Sequence, residues 1–269
     1  MTVVLQISDT HFGTERLPVV EALTRLSLEQ RPDLLVISGD ITQRARRAQF
    51  RAARTFLERL GTPWLAIPGN HDIPLFDLRA RVLRPYARHC EAFGPDLEPA
   101  HDSPELLTLG VNTTRWYRHQ DGEVSTAQIE RVARRLQCAG AAQLRIVVVH
   151  QPVAISQKQD VHNLLRGHAA ALQHWAVAGC DLVMGGHIHL PYVAALPGLA
   201  RQMWAVQAGT AVSWRVRDGI PNSVNLVRWG RDAPTGHCLI ERWDCSAAGP
   251  TFVRAAVVEV MPDRAALGY

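Results

Sequence analysis

Seven side chains able to ligate a metal lie just past the ends of five short apolar runs. The runs and their sequels are VVLQIS before Asp9-Thr10-His11, LLVISG before Asp40, WLAIPG before Asn70-His71-Asp72, LRIVVV before His150, and LVMGG before His187-Ile188-His189. Asp9 and Asp40 offer anionic oxygens, Asn70 a neutral amide oxygen, and His11, His150, His187 and His189 imidazole nitrogens. The absence of a cysteine from this set argues against a structural zinc site. Mixed N and O donors suit manganese, iron, cobalt or zinc better than magnesium or calcium alone. Seven donors leave room for two ions, and a pair about 3.5–4 Å apart with an activated water suits in-line displacement at phosphorus. Asp9 and His11 lie two apart, so in an extended strand end both point the same way, and His187 and His189 repeat that spacing.

The runs are short, rich in Val, Ile and Leu, and end abruptly, as strands buried on both faces do. Open α/β sheets place ligands outside the carboxyl ends of such strands. Strands are expected at 3–8, 34–38, 64–67, 106–111, 144–149 and 181–184, with helices at 16–30, 43–60, 126–137 and 166–178. Ser125 and Gln128 form a capping box for the third of these helices. Residues 73–100, punctuated by Pro74, Pro85, Pro95 and Pro99, read as an excursion with a helix at 76–92. Beyond residue 200, strands at 202–206, 223–227, 238–243 and 251–258 suggest an antiparallel second sheet packed on the first. The expected fold class is α/β, a four-layer αββα sandwich of two mixed sheets flanked by helices, with a dinuclear site at the strand carboxyl ends. Because the donors run from Asp9 to His189, we expect one domain over residues 1–269. It would comprise core motifs at 3–190, a β-rich part at 200–260 and a substrate cap as one option for 73–100.

Composition sets wide bounds. With 47% hydrophobic and 20% charged residues among 269, the chain is an ordinary globular protein. A net charge of +4, with Lys158 the lone lysine among 29 basic residues, licenses only a weak bias toward anionic substrates. Cys90, Cys138, Cys180, Cys238 and Cys245 are odd in number and lack CxxC spacing, which disfavours both zinc ribbons and a disulfide framework. The first run starts within three residues of Met1, and no apolar stretch approaches the roughly 20 residues of a membrane span. A cytoplasmic location is therefore expected.

Each block alone has a plain structural reading. Asp40 can cap the following helix, and Asn70-His71-Asp72 can form a turn. Five coincidences at sheet ends are what those readings fail to explain. Outside the set, Asn112 ends a strand and either contacts substrate or builds a turn, and His162 lies in the loop after His150, within possible reach of substrate. Arg44 opens a stripe with Arg47, Arg51 and Arg54 that faces either solvent or, at Arg44, an anionic substrate. His89, His101, His119, His168, His174 and His237 read as surface or satisfied polar residues. Ile73-Pro74-Leu75-Phe76 either packs on the fold or walls a pocket.

Asp-X-His, Gly-Asp, Gly-Asn-His-Asp, a lone His after a strand, and Gly-His-X-His together resemble the calcineurin-like metallophosphoesterase family, in its order, over residues 3–190. The resemblance implies that Asp9, His11 and His189 hold one transition metal and Asn70, His150 and His187 the other, with Asp40 bridging. A metal-bridging hydroxide would then attack phosphorus. His71 would stabilise the transition state or protonate the leaving group, with Asp72 orienting its ring. Compactness and the Gly-Asn-His-Asp block resemble bacterial class III cyclic-nucleotide and glycerophosphodiester phosphodiesterases, implying a small anionic phosphodiester as substrate. A second reading is a UDP-diacylglucosamine-type pyrophosphate hydrolase, whose lipid-linked substrate would bring peripheral membrane contact. A third is a nuclease, but without coiled-coil arms or a long basic or aromatic tract no stable nucleic-acid partner is expected. A non-catalytic scaffold fits least, since donors and His71 are intact. Oligomeric state is left open.

Overall fold

A computed structural model describes residues 1–230 and 236–263. In chain order the elements are β1 (Thr2–Ile7), α1 (Leu17–Gln30), β2 (Leu34–Ser38), α2 (Arg47–Leu60), β3 (Trp64–Ile67), α3 (Leu78–Leu83), α4 (Ala87–Phe93), β4 (Ala100–Ser103), β5 (Leu106–Gly110), α5 (Thr126–Gln137), β6 (Leu144–Val148), α6 (His168–Val177), β7 (Leu182–Gly185), β8 (Tyr192–Ala195), β9 (Trp204–Gln207), β10 (Ser223–Trp229), β11 (Cys238–Cys245) and β12 (Phe252–Val260). Among the described residues they form two six-stranded sheets, ordered β12-β11-β10-β1-β2-β3 and β4-β5-β6-β7-β9-β8.

The period-2 alternation of strand side chains builds the four layers. On the first sheet, Val3, Leu5, Ile7, Leu35 and Ile37 face α1 and α2, where they meet Val19, Leu23, Ala53 and Leu57. Their neighbours Val4, Leu34, Val36 and Leu65 face the second sheet and pack on Leu106, Ile146, Val148 and Met184. On the far side of the second sheet, Leu107, Val147 and Val183 meet Ile129 and Val132 of α5 and Ala171 and Trp175 of α6. Strands β1, β2, β5, β6 and β7 thus have side chains on both faces sealed from water, which explains why their runs are apolar but for a few buried polar residues such as Gln6 and Arg145.

Three expectations change. The strands past residue 200 do not form a sheet of their own. β9 joins the second sheet parallel to β7, while β10 pairs antiparallel with β1 and carries β11 and β12 on the first. The helix expected at 76–92 is two, broken around Pro85, whose ring and missing N–H cannot continue a helix. Helix α2 begins at Arg47, so Arg44 lies in the preceding turn, and Arg47 and Arg54 pair at the surface with Glu91 and Glu58. No helix among the described residues is long and apolar enough to cross a membrane.

Candidate metal centre

Strands β1, β2, β3, β6 and β7, drawn from both sheets, end near one another, and the loops that follow carry the seven donors. Those loops turn sharply. Asp9 (φ 50°), His11 (43°), Asp40 (49°), His187 (74°) and His189 (55°) all occupy the left-handed region. Arg31 and Ala45 are the other non-glycine residues there among the described residues. Such a conformation costs an L residue roughly 1–3 kcal/mol and persists where its surroundings over-determine it, most often at functional sites. The Asp9/His11 and His187/His189 pairs therefore converge through paired left-handed turns, not through an extended strand end as expected.

The donors fall into two groups. Asp9 Oδ1 lies 3.2 Å from His189 Nε2 and 3.9 Å from His11 Nε2, and those two nitrogens are 3.3 Å apart. Asn70 Oδ1 lies 3.0 Å from His187 Nδ1 and 3.2 Å from His150 Nε2. Asp40 reaches both groups, with Oδ2 3.8 Å from His11 Nε2 and Oδ1 3.3 Å from His150 Nε2. Donor atoms of Asp9, His11 and His189 lie within 4.8 Å of one another, as do those of Asp40, His150 and His187, and those of His11, Asp40 and His71. Close approach of the loops needs glycine: a Cβ on Gly69 would overlap the Asp40 amide and carboxylate, and one on Gly186 would meet Ser8 and Asp9.

The electrostatics fit a cation site. Burial works to raise the Asp9 carboxyl, yet the charges of His189 and His150 outweigh it and hold it at about 2. Burial likewise opposes ionisation of Asp40, but His150, His71 and His11 keep it well below the usual carboxylate range. Burial lowers His11 to about 3 and, with His150 nearby, His187 to about 4, so both rings present a free lone pair at neutral pH. His150 goes the other way, to about 9, because Asp40 and Asp9 overcome its burial. The negative potential that holds that proton is the potential a metal cation answers.

Beside this cluster the His71 ring meets His11 edge-on at 4.8 Å. The Gln43 backbone carbonyl, 3.0 Å away, can only accept, which assigns a proton to His71 Nδ1. Asp72 does not orient that ring, contrary to expectation. Its buried carboxylate accepts from the amides of Ile41 (3.0 Å), Thr42 (2.8 Å) and Gly69 (2.9 Å) and from Thr42 Oγ1 (2.8 Å). It therefore ties the Asp40 loop to the Asn70 loop. Burial and the Asp40 charge raise this carboxyl to about 7, against those donors.

Arg215 is a site residue without a sequence signal. It donates to Gln43 Oε1 at 3.0 Å and lies 3.2 Å from His71 Nε2, 144 positions away in the chain. Its loop is strapped to the segment after β1 by Ala211 N–H to Ser8 O (3.0 Å), Arg16 N–H to Val212 O (2.8 Å) and Trp214 N–H to Thr14 O (3.0 Å). A cleft next to the cluster is lined by Gln43, Arg44, Asn70, His71, Arg81 and His119, with Ile73 and Leu75 as its apolar wall. Arg44 is thus at the site. Asn112 is not among the cleft residues: its Oδ1 accepts from Thr114 N (3.0 Å) and Thr114 Oγ1 (2.7 Å), building a turn over a separate cavity. His162 is exposed on a six-residue 3-10 helix, Lys158–Asn163, and forms no hydrogen bond or ion pair with the seven donors among the described residues.

A profile of the calcineurin-like phosphoesterase family matches residues 2–191. A glycerophosphodiester phosphodiesterase of Enterobacter lignolyticus is 27% identical over 164 residues, covering 57% of this chain and 58% of the relative. A cAMP/cGMP dual-specificity phosphodiesterase of Mycobacterium tuberculosis is 27% identical over 215 residues, covering 73% of this chain and 64% of the relative. The chain therefore spans less than two thirds of the length of either. In fold it is similar to a dimetal phosphatase from Danio rerio, with a TM-score of 0.67 at 14% identity over 97% of this chain and 99% of that one. Because the family profile spans every segment that feeds the donor cluster, the chain belongs to the calcineurin-like phosphoesterase family.

Proposed function

We propose that this chain is a metal-dependent phosphodiesterase acting on a small substrate such as a cyclic nucleotide or a glycerophosphodiester. The observation that carries the reading is the Asp40 carboxylate, whose two oxygens face two separate groups of N and O donors. In this reading Asp9, His11 and His189 hold one ion, Asn70, His150 and His187 the other, and Asp40 both. When bound, such a pair supplies a water-derived nucleophile at neutral pH and neutralises charge developing at phosphorus. The two relatives, named as phosphodiesterases of glycerophosphodiesters and of cyclic nucleotides, support a small diester.

The residues around the pair have separable tasks. His71, fixed at Nδ1 by the Gln43 carbonyl and lying against Arg215 at the cleft, serves a phosphoryl or leaving-group oxygen through Nε2. Arg215 holds positive charge at that nitrogen, and Asp72 keeps the two donor loops in register. Residues 1–269 act as one unit, a reading supported by the β1–β10 pairing and by Arg215 reaching His71 from the tail. The scattered cysteines favour the cytoplasm.

One observation favours a lipid-linked pyrophosphate as a second reading. Phe76, Leu78 and Leu83, close in sequence to the cleft wall, are 79%, 69% and 67% exposed. The test loads the protein with manganese, counts bound metal, and compares bis(p-nitrophenyl) phosphate, cyclic nucleotides, glycerophosphodiesters and a UDP-diacylglucosamine. Two bound ions with no turnover of any diester would reject the phosphodiesterase reading. A clear preference for the lipid-linked substrate would replace it with the second.

A further inference from the structure

Positive charge collects around the cleft beyond what the donor cluster uses. The guanidiniums of Arg44 and Arg81 line it together with Asn70, His71 and the His119 imidazole, which burial and Arg81 hold toward its neutral form. Neighbouring arginines are balanced: Arg88 pairs with Asp77, and Arg115 and Arg118 with Glu123. Arg44 and Arg81 form no salt bridge among the described residues. Arg81 is instead held by two backbone carbonyls, Pro74 O at 3.3 Å and Arg118 O at 2.7 Å, which fix its guanidinium without neutralising it. Arg44 lies over the Phe76 ring at 5.3 Å, again oriented but not neutralised. The acids of the donor loops are engaged elsewhere, Asp9 and Asp40 in the donor cluster and Asp72 on loop amides.

Grouped cations repel unless an anion joins them, and a guanidinium pre-oriented by backbone is a ready phosphate ligand. A metal pair already answers the single charge of a scissile diester, so these groups are surplus to it. We propose that Arg44, Arg81 and His119 form a second phosphate subsite beside the metal centre, selecting small phosphodiesters that carry an additional phosphate group. The inference rests on the phosphodiesterase reading and narrows it.

The test compares adenosine 2′,3′-cyclic phosphate with the same compound bearing a 5′-phosphate, on manganese-loaded protein. Charge-assisted hydrogen bonds predict that kcat/KM favours the 5′-phosphorylated substrate by about 10-fold or more. In Arg81→Gln and His119→Gln that ratio falls toward one. It stays in Arg79→Gln, which removes an exposed arginine on the same helix but outside the cleft. A wild-type ratio near one, or equal loss in Arg79→Gln, overturns the proposal. A second arm needs no turnover: calorimetry on metal-free protein compares adenosine 3′,5′-bisphosphate with adenosine 5′-monophosphate. The bisphosphate binds more tightly in wild type and loses that advantage in the two cleft variants. If manganese-loaded protein hydrolyses neither cyclic compound, the calorimetry alone decides the subsite, and the phosphodiesterase reading fails only if no other diester turns over either. Equal affinity for the two nucleotides then overturns it.

Discussion

The Arg215 guanidinium lies 3.2 Å from His71 Nε2, while His71 Nδ1 is held 3.0 Å from the Gln43 carbonyl. The same Arg215 nitrogen lies 3.4 Å from Nδ1, so the guanidinium from the C-terminal part of the chain sits against the face of a ring whose Nδ1 is held by backbone near the donor cluster. Replacing Arg215 with Met keeps the stem but removes charge and donors. Turnover should drop by about 10-fold with metal content and melting temperature unchanged. Wild-type turnover in Arg215→Met would show that the contact is incidental.

His71 and Asp40 should separate cleanly in a metal assay. His71→Ala removes a ring nitrogen that lies within 4.8 Å of ligand atoms of His11 and Asp40 but is not one of the seven donors of the proposed assignment, so both ions stay and turnover falls by about 100-fold or more. Asp40→Ala removes the carboxylate shared by both groups and should lose metal outright. Metal analysis of the purified variants, run beside bis(p-nitrophenyl) phosphate kinetics, decides. His71→Ala with full activity would end its assigned role.

How far sequence carries depends on the range of the interaction. That the candidate donors would meet at strand ends was legible because each follows a strand whose apolar run marks its own end, as Val148 does before His150. The four-layer architecture followed from those same runs. The division of the tail between the two sheets was not legible, because β9 and β10 differ in partner rather than in pattern. Arg215 was invisible for a related reason: no spacing rule links it to His71. Asp72 misled by adjacency, since in a tight 3-10 turn neighbouring side chains point apart and its carboxylate turns toward Ile41 and Thr42. Asn112 went to the plainer of its two readings because its amide closes its own turn.

Asp72 makes a stability prediction that a ring-orienting role would not. Asp72→Ala strands three buried amides, of Gly69, Ile41 and Thr42, and the Thr42 hydroxyl. The cost should be about 3 kcal/mol or more in urea unfolding of metal-free protein. A variant as stable as wild type but slow in turnover would restore the ring-orienting role.

His89 should limit stability in acid. It is fully buried in α4, with ring centroids 5.1 Å from Phe93 and 6.0 Å from Phe50, and neither nitrogen has a hydrogen-bond partner among the described residues. The expectation of a surface or satisfied histidine fails here, and desolvation lowers its pKa from 6.5 to about 4. Between those two values the unfolded chain binds the proton that the folded chain refuses, so stability falls as pH drops through this window and levels off below the folded pKa. The full span amounts to about 3 kcal/mol. His11 and His187 also titrate in acid in metal-free protein, so the informative quantity is the difference between wild type and His89→Leu. Leucine fills similar space without stranded nitrogens. The variant should unfold at higher urea than wild type, with the gap widening as pH falls from 7 to 4. A gap that stays constant across that range would mean the His89 ring takes up its proton inside the folded protein as readily as outside it.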